Sequence, residues 1–477
     1  MSSQKYLRIK EDIDDKDDDI PLWRKLCFAV GGAPYQITTN VIGFFFSIFL
    51  LEVAEIEPKY VSIILFGGKA WDAITDPTCG YLVHRSPFTK FGRMKPWILL
   101  STPFACAAYY GLFYVPDISE EAKFGYYFAM FCLFEGLLSG LHVPYTSLTM
   151  YISSKQKERD SATSYRMVSE AIGVLLAVIV QGKLVEKYRT AGECSKPEST
   201  VSPHSIDDQK WSYTLGSIIV IGIYVLCTLI VFFGVKEKRG LVEDKNSASY
   251  FRGLKTVITY GPYIKAAMAF LFISIAIGVV QGNLALYCTH ALKMGDKFSD
   301  FILVVLGTSI VSMPIWQCIL IKFGKKTAYA VGISIFIPVL ISHLYLPAGN
   351  EYIYYVVVAI AGLGISVSLL LPWSVLPDIL DLFMLETKTR KDPIFYSFYV
   401  FFNKLAIGLG LGISQVALQF GGYETGACTQ PKSVELTLRL LVACPVVFVL
   451  IALLFLWRYP IDEKKREQIR EDILNMM

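Results

Sequence analysis

Histidine is scarce in this chain. The five histidines of the 477 residues (His84, His142, His204, His290 and His343) are scattered, with no spacing that suits a metal site. None is followed five residues later by the aspartate that acyl-transfer chemistry in a membrane enzyme would want, so an enzyme is not expected. Charge is scarce as well. Charged residues make up 18% of the chain, and the net charge of +4 offers no electrostatic case for a nucleic-acid partner. The amino terminus lacks the basic-then-apolar pattern and small-residue cleavage site of a secretory signal. It carries Glu11, Asp12, Asp14, Asp15, Asp17, Asp18 and Asp19 instead, a composition that reads as a solvated tail.

What is abundant is apolar sequence: 54% of residues are hydrophobic and the mean hydropathy is +0.47. Runs long enough to cross a bilayer recur between short polar loops, which makes this a polytopic membrane protein. Spans are expected near 24–51, 58–83, 96–115, 124–150, 161–187, 211–235, 262–289, 298–322, 327–347, 352–380, 393–419 and 434–458. Alternate connections are basic, for example Arg85, Lys90, Arg93 and Lys95 after the second span and Lys322, Lys325 and Lys326 after the eighth. The loops around Glu52, Glu55 and Glu57 and around Asp117, Glu120 and Glu121 lean acidic, so the excess of basic residues on the inner side places both termini in the cytoplasm.

Internal repetition sets the architecture. Pro34-Tyr35 recurs as Pro262-Tyr263, Phe91-Gly92-Arg93-Met94-Lys95 as Phe323-Gly324-Lys325-Lys326-Thr327, and Val143-Pro144-Tyr145-Thr146-Ser147-Leu148 as Leu371-Pro372-Trp373-Ser374-Val375-Leu376. The shared offset of about 230 residues predicts an all-α membrane protein of twelve transmembrane helices in two parallel six-helix halves, the major facilitator fold. The expected division is a tail (1–23), one half (24–235), a cytoplasmic linker (236–261), the second half (262–458) and a closing tail (459–477). In the linker, Tyr250, Phe251, Leu254, Val257 and Ile258 alternate with Arg252 and Lys255, as in a helix lying on a membrane surface. Its first part, around Glu243 to Ser247, reads equally as a flexible connector. Gly31-Gly32-Ala33-Pro34, Pro144 and Pro372 are candidate helix breaks or simple kinks.

The second span holds the stretch with most chemical content, Trp71-Asp72-Ala73-Ile74-Thr75-Asp76-Pro77. Four-residue spacing stacks Asp72 and Asp76 on one helix face, with Thr75 adding an oxygen nearby. Carboxylates inside a span are costly, and two readings stand: an ion or substrate path, or pairing with basic residues of a neighbouring helix. Eight of the ten cysteines (Cys27, Cys79, Cys106, Cys132, Cys227, Cys288, Cys318 and Cys444) lie in apolar runs as packing residues. Cys194 and Cys428 fall in loops that the topology places outside, where an oxidising compartment lets them form a disulfide.

The second-span stretch, followed by Gly92-Arg93-Met94-Lys95-Pro96-Trp97, resembles the cation-site helix and following loop of the melibiose-permease-like sugar/cation symporters. Gly31-Gly32-Ala33-Pro34-Tyr35-Gln36, Glu158-Arg159-Asp160-Ser161-Ala162-Thr163 with Tyr165-Arg166-Met167, Leu371-Pro372-Trp373-Ser374, Pro393 through Lys404, and Tyr459-Pro460-Ile461-Asp462-Glu463 resemble the sodium-coupled lysolipid branch of that group. The resemblance implies a plasma-membrane transporter that takes up lysophosphatidylcholine with long acyl chains, docosahexaenoyl included, driven by Na⁺ entry. The bilayer is its surroundings and a monomer is expected. A sugar/cation symporter and a sphingosine 1-phosphate exporter are the alternatives. The glycosylation usual for the family in the loop before the sixth span has no support, since residues 189–211 contain no Asn.

Carried over position by position, the family pattern places Na⁺ on Asp72 and Asp76, with Lys404 and Arg166 as cavity cations. Gln36 and His142 stand where a sugar site would hold acids, which moves the preference from a sugar toward an anionic headgroup such as a phosphate. Lys404 has a second reading as the ion-pair partner of Asp72 or Asp76. Phe44, Phe45, Phe46 and Phe49 of the first span, with Phe395, Phe398, Phe401 and Phe402 of the eleventh, are candidates to flank an acyl tail, to face lipid or to pack in the core.

Overall fold

The computed structural model describes residues 20–153, 156–188, 206–237, 259–387, 392–425 and 430–476. Cys194, Cys428 and the amphipathic stretch of the linker lie outside the described residues. Among the described residues there is no β-strand beyond a single bridge between Thr89 and Gly92. In a bilayer every backbone polar group must be satisfied within its own segment, which favours helices throughout.

Twelve spans form. The first combines Leu22–Val30 and Ala33–Val41 with π-helical turns at Ile42–Phe46 and Phe49–Val53. Pro58–Arg85, Met94–Leu112, Glu120–Leu148, Gln156–Ala177 with its continuation to Tyr188, and Ile206–Gly234 complete one half. The second half comprises Gly261–Leu286, Phe298–Phe323, Lys325–Ser334 with Phe336–Ser342, Glu351–Thr387, Asp392–Phe420, and Lys432–Ala443 with Val446–Trp457. A last helix, Glu463–Met476, follows. Nine helices among the described residues are long and apolar enough to cross a bilayer. The second span is not one of them, because Lys59, Lys69, Asp72, Asp76 and Arg85 interrupt it. The tenth span runs on to Thr387, past its expected end at 380, and just before that expected end Asp378 pairs with Lys325 at 2.7 Å.

Of the candidate breaks, only the glycine pair interrupts its helix. Gly31 and Gly32 form a turn between the two segments of the first span, and a Cβ on Gly31 would lie 2.5 Å from the Tyr145 ring. The Phe28 carbonyl near the break accepts from the Tyr145 hydroxyl at 2.8 Å, so the interruption leaves this group paired. Pro144 and Pro372 sit inside continuous helices.

The internal repeat reappears as similar contacts, made in the second half by a lysine one position earlier in the motif. Lys95 donates to the carbonyls of Phe232 (3.0 Å) and Val235 (2.8 Å) at the end of the sixth span. Lys326 does the same for Trp457 (3.0 Å) and Tyr459 (2.7 Å) after the twelfth. Each ammonium satisfies terminal carbonyls and opposes the negative end of the helix dipole. Gly92 and Gly324, preceding each lysine, have φ of +108° and +81°, and a Cβ on either would meet Glu237 or Glu463 respectively.

The halves close against each other at the end that carries the acidic first loop. Glu52 meets His290 at 2.9 Å, Lys183 meets Asp300 at 2.7 Å, Gln415 donates to Ser47 at 2.9 Å, and Ser62 donates to the Gly412 carbonyl at 2.9 Å. Gly43 packs on Gln281, where a Cβ would fall 2.3 Å from the amide nitrogen. At the basic end, Lys25 pairs with Glu158 (2.9 Å) and Lys325 with Asp378, each within one half.

Candidate functional site

Helical spacing puts Lys69, Asp72 and Asp76 on one face of the second span, and that face meets the fourth and eleventh spans. Asp72 is 3% exposed. The Lys404 ammonium, carried by the eleventh span, donates to Asp72 Oδ1 at 2.8 Å and to Asp76 Oδ2 at 2.5 Å. Ser139 donates to Asp72 Oδ1 at 3.2 Å and shares a 2.9 Å hydrogen bond with Thr75, whose hydroxyl also contacts the Asp72 carbonyl at 3.1 Å.

The cluster extends beyond the residues expected from sequence. Lys69 donates to the fully buried Glu135 at 2.6 Å and lies 4.0 Å from Asp72. Three carboxylates therefore share two ammonium groups, leaving one net negative charge when all are ionised. Asp76 Oδ1 and Glu135 Oε2 are buried without a hydrogen-bond partner. Buried charges persist only when compensated, so an arrangement short by one positive charge suits a monovalent cation. Lys69 and Glu135 were legible in principle, as lone charges inside apolar runs, the same signal that marked Asp72.

The other expected headgroup residues surround the first-span break. The rings of Tyr35 and His142 stack with centroids 3.6 Å apart and planes inclined by 15°. His142 lies within electrostatic reach of both Lys404 and Arg166, and its Nδ1 is buried without a partner. Arg166 Nε is 3.2 Å from Glu170 Oε1, one helical turn on, and Gln36 hydrogen-bonds Glu170. Gly32 permits this arrangement: a Cβ there would lie 2.7 Å from the Glu170 side chain.

Between the halves lies a cavity of about 390 Å³. Gln36, Asn40, Glu170 and Gln281 are the polar residues at its N-half wall and the adjoining seventh span, while Val174, Ile273, Val280 and Val305 are among its many apolar ones. A mostly apolar pocket with a few placed polar groups is the usual form of a ligand site. Phe44 lines this cavity. Phe45 instead packs on Phe298 at 5.5 Å, and Phe49 sits among Phe46, Phe113, Tyr127 and Tyr213. Phe398 and Phe402 form a ring cluster with Phe401 in the second half.

Two six-helix halves, with a buried charge cluster and a cavity at their interface, define a secondary transporter of the major facilitator type. The chain belongs to the MFS/sugar transport protein family, whose model matches residues 27–463. It is 44% identical over 464 residues to the zebrafish (Danio rerio) sodium-dependent lysophosphatidylcholine symporter 1-B, covering 94% of this chain and 88% of that protein. The human (Homo sapiens) sodium-dependent lysophosphatidylcholine symporter 1 is 41% identical, covering 98% and 91% of the two chains. The Xenopus tropicalis sphingosine-1-phosphate transporter MFSD2B is 39% identical, covering 100% and 95%. Among solved structures, a bacterial homologue of the lysosomal transporter Spinster, in an inward-facing and unoccupied conformation, aligns with a TM-score of 0.67 at 12% identity. That alignment covers 95% of this chain and 99% of the other, and likeness at such identity speaks for the fold alone.

Proposed function

We propose that this protein is a sodium-coupled symporter that carries lysophosphatidylcholine inward across the plasma membrane by alternating access, with both termini cytoplasmic. The observation that carries the reading is the Lys404 ammonium shared between Asp72 and Asp76 at the interface of the halves. One of the pair's two negative charges can be offset by Lys404 or by a co-transported Na⁺ entering from outside. Na⁺ on the aspartates releases Lys404 toward the lipid phosphate, with Arg166, His142 and Gln36 completing the headgroup site. Closure at the acidic-loop end fits an inward-facing state. The acyl chain follows the apolar wall of the cavity, which Phe44 lines in place of the expected Phe45, Phe49, Phe398 and Phe402, packed elsewhere on neighbouring rings.

Transport needs a ligand that stabilises one arrangement of the halves over the other. A cation that removes the Lys404 bridge does so, because the bridge itself joins the halves. Each Na⁺ moved inward contributes about 2.3 kcal/mol per 100 mV of membrane potential.

The test is uptake of lysophosphatidylcholine into proteoliposomes under an inward Na⁺ gradient, compared with K⁺. Sodium-dependent accumulation that sugars do not inhibit supports the proposal. Sodium-independent flux, or competition by a sugar, would refute it. The sphingosine-1-phosphate alternative predicts export of that lipid instead, and the same vesicles measure it.

A further inference from the structure

We propose that His343 and Tyr354 form a hydroxyl-binding site at the far end of the cavity, so that the protein takes lysolipids whose acyl chain ends in a hydroxyl in preference to the plain chain. The inference rests on the lysolipid reading above and adds a substrate class to it. Gln36 lines the cavity on the first span and Tyr354 on the tenth, toward opposite ends. Gly43, two helical turns outward of Gln36, packs on Gln281, and the Tyr287 hydroxyl, further out again on the seventh span, donates to the His343 carbonyl at 2.9 Å. Helical rise puts the two ends on the order of 20 Å apart. A chain that starts at the headgroup residues and follows the apolar wall therefore ends at His343 and Tyr354.

Both residues are buried, yet both are polar where the rest of that end is apolar. His343 Nδ1 lies 2.7 Å from the Val339 carbonyl, which can only accept, so the proton of the neutral ring sits on Nδ1 and Nε2 is an acceptor. The Tyr354 hydroxyl accepts from the Cys288 thiol at 3.7 Å and keeps its own proton to give. Among the described residues neither that proton nor His343 Nε2 has a partner. The two rings stand at 86° with centroids 5.8 Å apart, and the fully buried Tyr287 and Phe301 pack behind them and close the end. One acceptor beside one donor matches the group that is both, an alcohol. A methyl terminus leaves the two polar groups buried and unpaired, which is costly, whereas a hydroxyl donates to Nε2 and accepts from Tyr354. A terminal carboxylate has no proton to offer Nε2. Sites built on such groups discriminate against ligands that leave them unpaired.

The experiment measures sodium-driven uptake of ω-hydroxypalmitoyl and palmitoyl lysophosphatidylcholine, supplied together in equal amounts, by full-length protein in proteoliposomes, for wild type, Tyr354→Phe and His343→Phe. Wild type favours the hydroxylated lipid about ten-fold, as two hydrogen bonds to otherwise unpaired groups imply, and Tyr354→Phe, which removes a single oxygen, brings the two lipids within about two-fold of each other. If the pair serves packing alone, wild type takes both lipids alike or prefers the plain chain, and the variants lower both together; either result overturns the inference. Should the variants fail to fold, wild type decides by position. A hydroxyl at mid-chain lies against apolar wall and gains nothing, whereas a mid-chain hydroxyl favoured as strongly as a terminal one overturns the site. A wild type without sodium-dependent uptake of palmitoyl lysophosphatidylcholine sinks the parent reading, while equal uptake of the two lipids by an active wild type sinks only this one.

Discussion

Lys404 on the eleventh span and Asp76 on the second meet at 2.5 Å across the interface between the halves. The same ammonium reaches Asp72 at 2.8 Å, so one side chain contacts both carboxylates, offsets one of their two charges and fastens the halves together. Charge compensation and conformation are thereby linked in a single contact.

Replacing Lys404 by Met tests that link. Without sodium, the variant carries two buried carboxylates with no ammonium between them and melts lower than wild type. With sodium it regains more stability than wild type does, because the cation no longer competes with a tethered ammonium, and its apparent Na⁺ affinity rises about ten-fold or more. Lysophosphatidylcholine uptake is lost. Thermal melts in Na⁺ and K⁺ buffers measure all but the last.

Closure at the acidic-loop end depends on close approach of the first and seventh spans. Gly43→Leu places a branched side chain where even a Cβ falls 2.3 Å from the Gln281 amide nitrogen, so Gln281 must swing away and the contact between the two spans loosens. The variant is expected to expose the outer passage, raising several-fold the reactivity of a cysteine at Ser62 toward an impermeant thiol reagent added outside. Lys183→Met, which removes a half-exposed ion pair, has a smaller effect, because such pairs contribute about 1 kcal/mol or less.

The matched lysines predict matched costs. Lys95→Met and Lys326→Met each leave two terminal carbonyls without their donor, for a loss of about 1–2 kcal/mol apiece. The effects are expected to add, since the residues lie in different halves. Denaturation of the single and double variants in detergent checks both statements.

Much of this was legible in the sequence, for identifiable reasons. The spans follow from hydropathy, and the two halves from short repeats such as Phe91-Gly92 and Phe323-Gly324, whose glycines the structure places at positive φ. The Asp72–Asp76 spacing gave a shared face because a helix forces it. Partners across the bundle were not legible: nothing local to Glu135 says that Lys69 lies 2.6 Å away. Aromatic residues were equally mute, since Phe44 and Phe45 are neighbours in sequence yet one lines the cavity and the other packs on Phe298. A helical step of about 100° separates those fates, and the π-helical turn at Ile42–Phe46 shifts the phase further.

The most direct test of the central claim is initial lysophosphatidylcholine uptake as a function of external Na⁺ for wild type and Asp76→Asn, reconstituted at equal density. Wild-type uptake rises with Na⁺ and saturates, while the Asn variant, which binds and folds but lacks the second carboxylate charge, stays at the sodium-free level throughout. An Asp76→Asn protein whose uptake follows the wild-type Na⁺ curve would contradict the account.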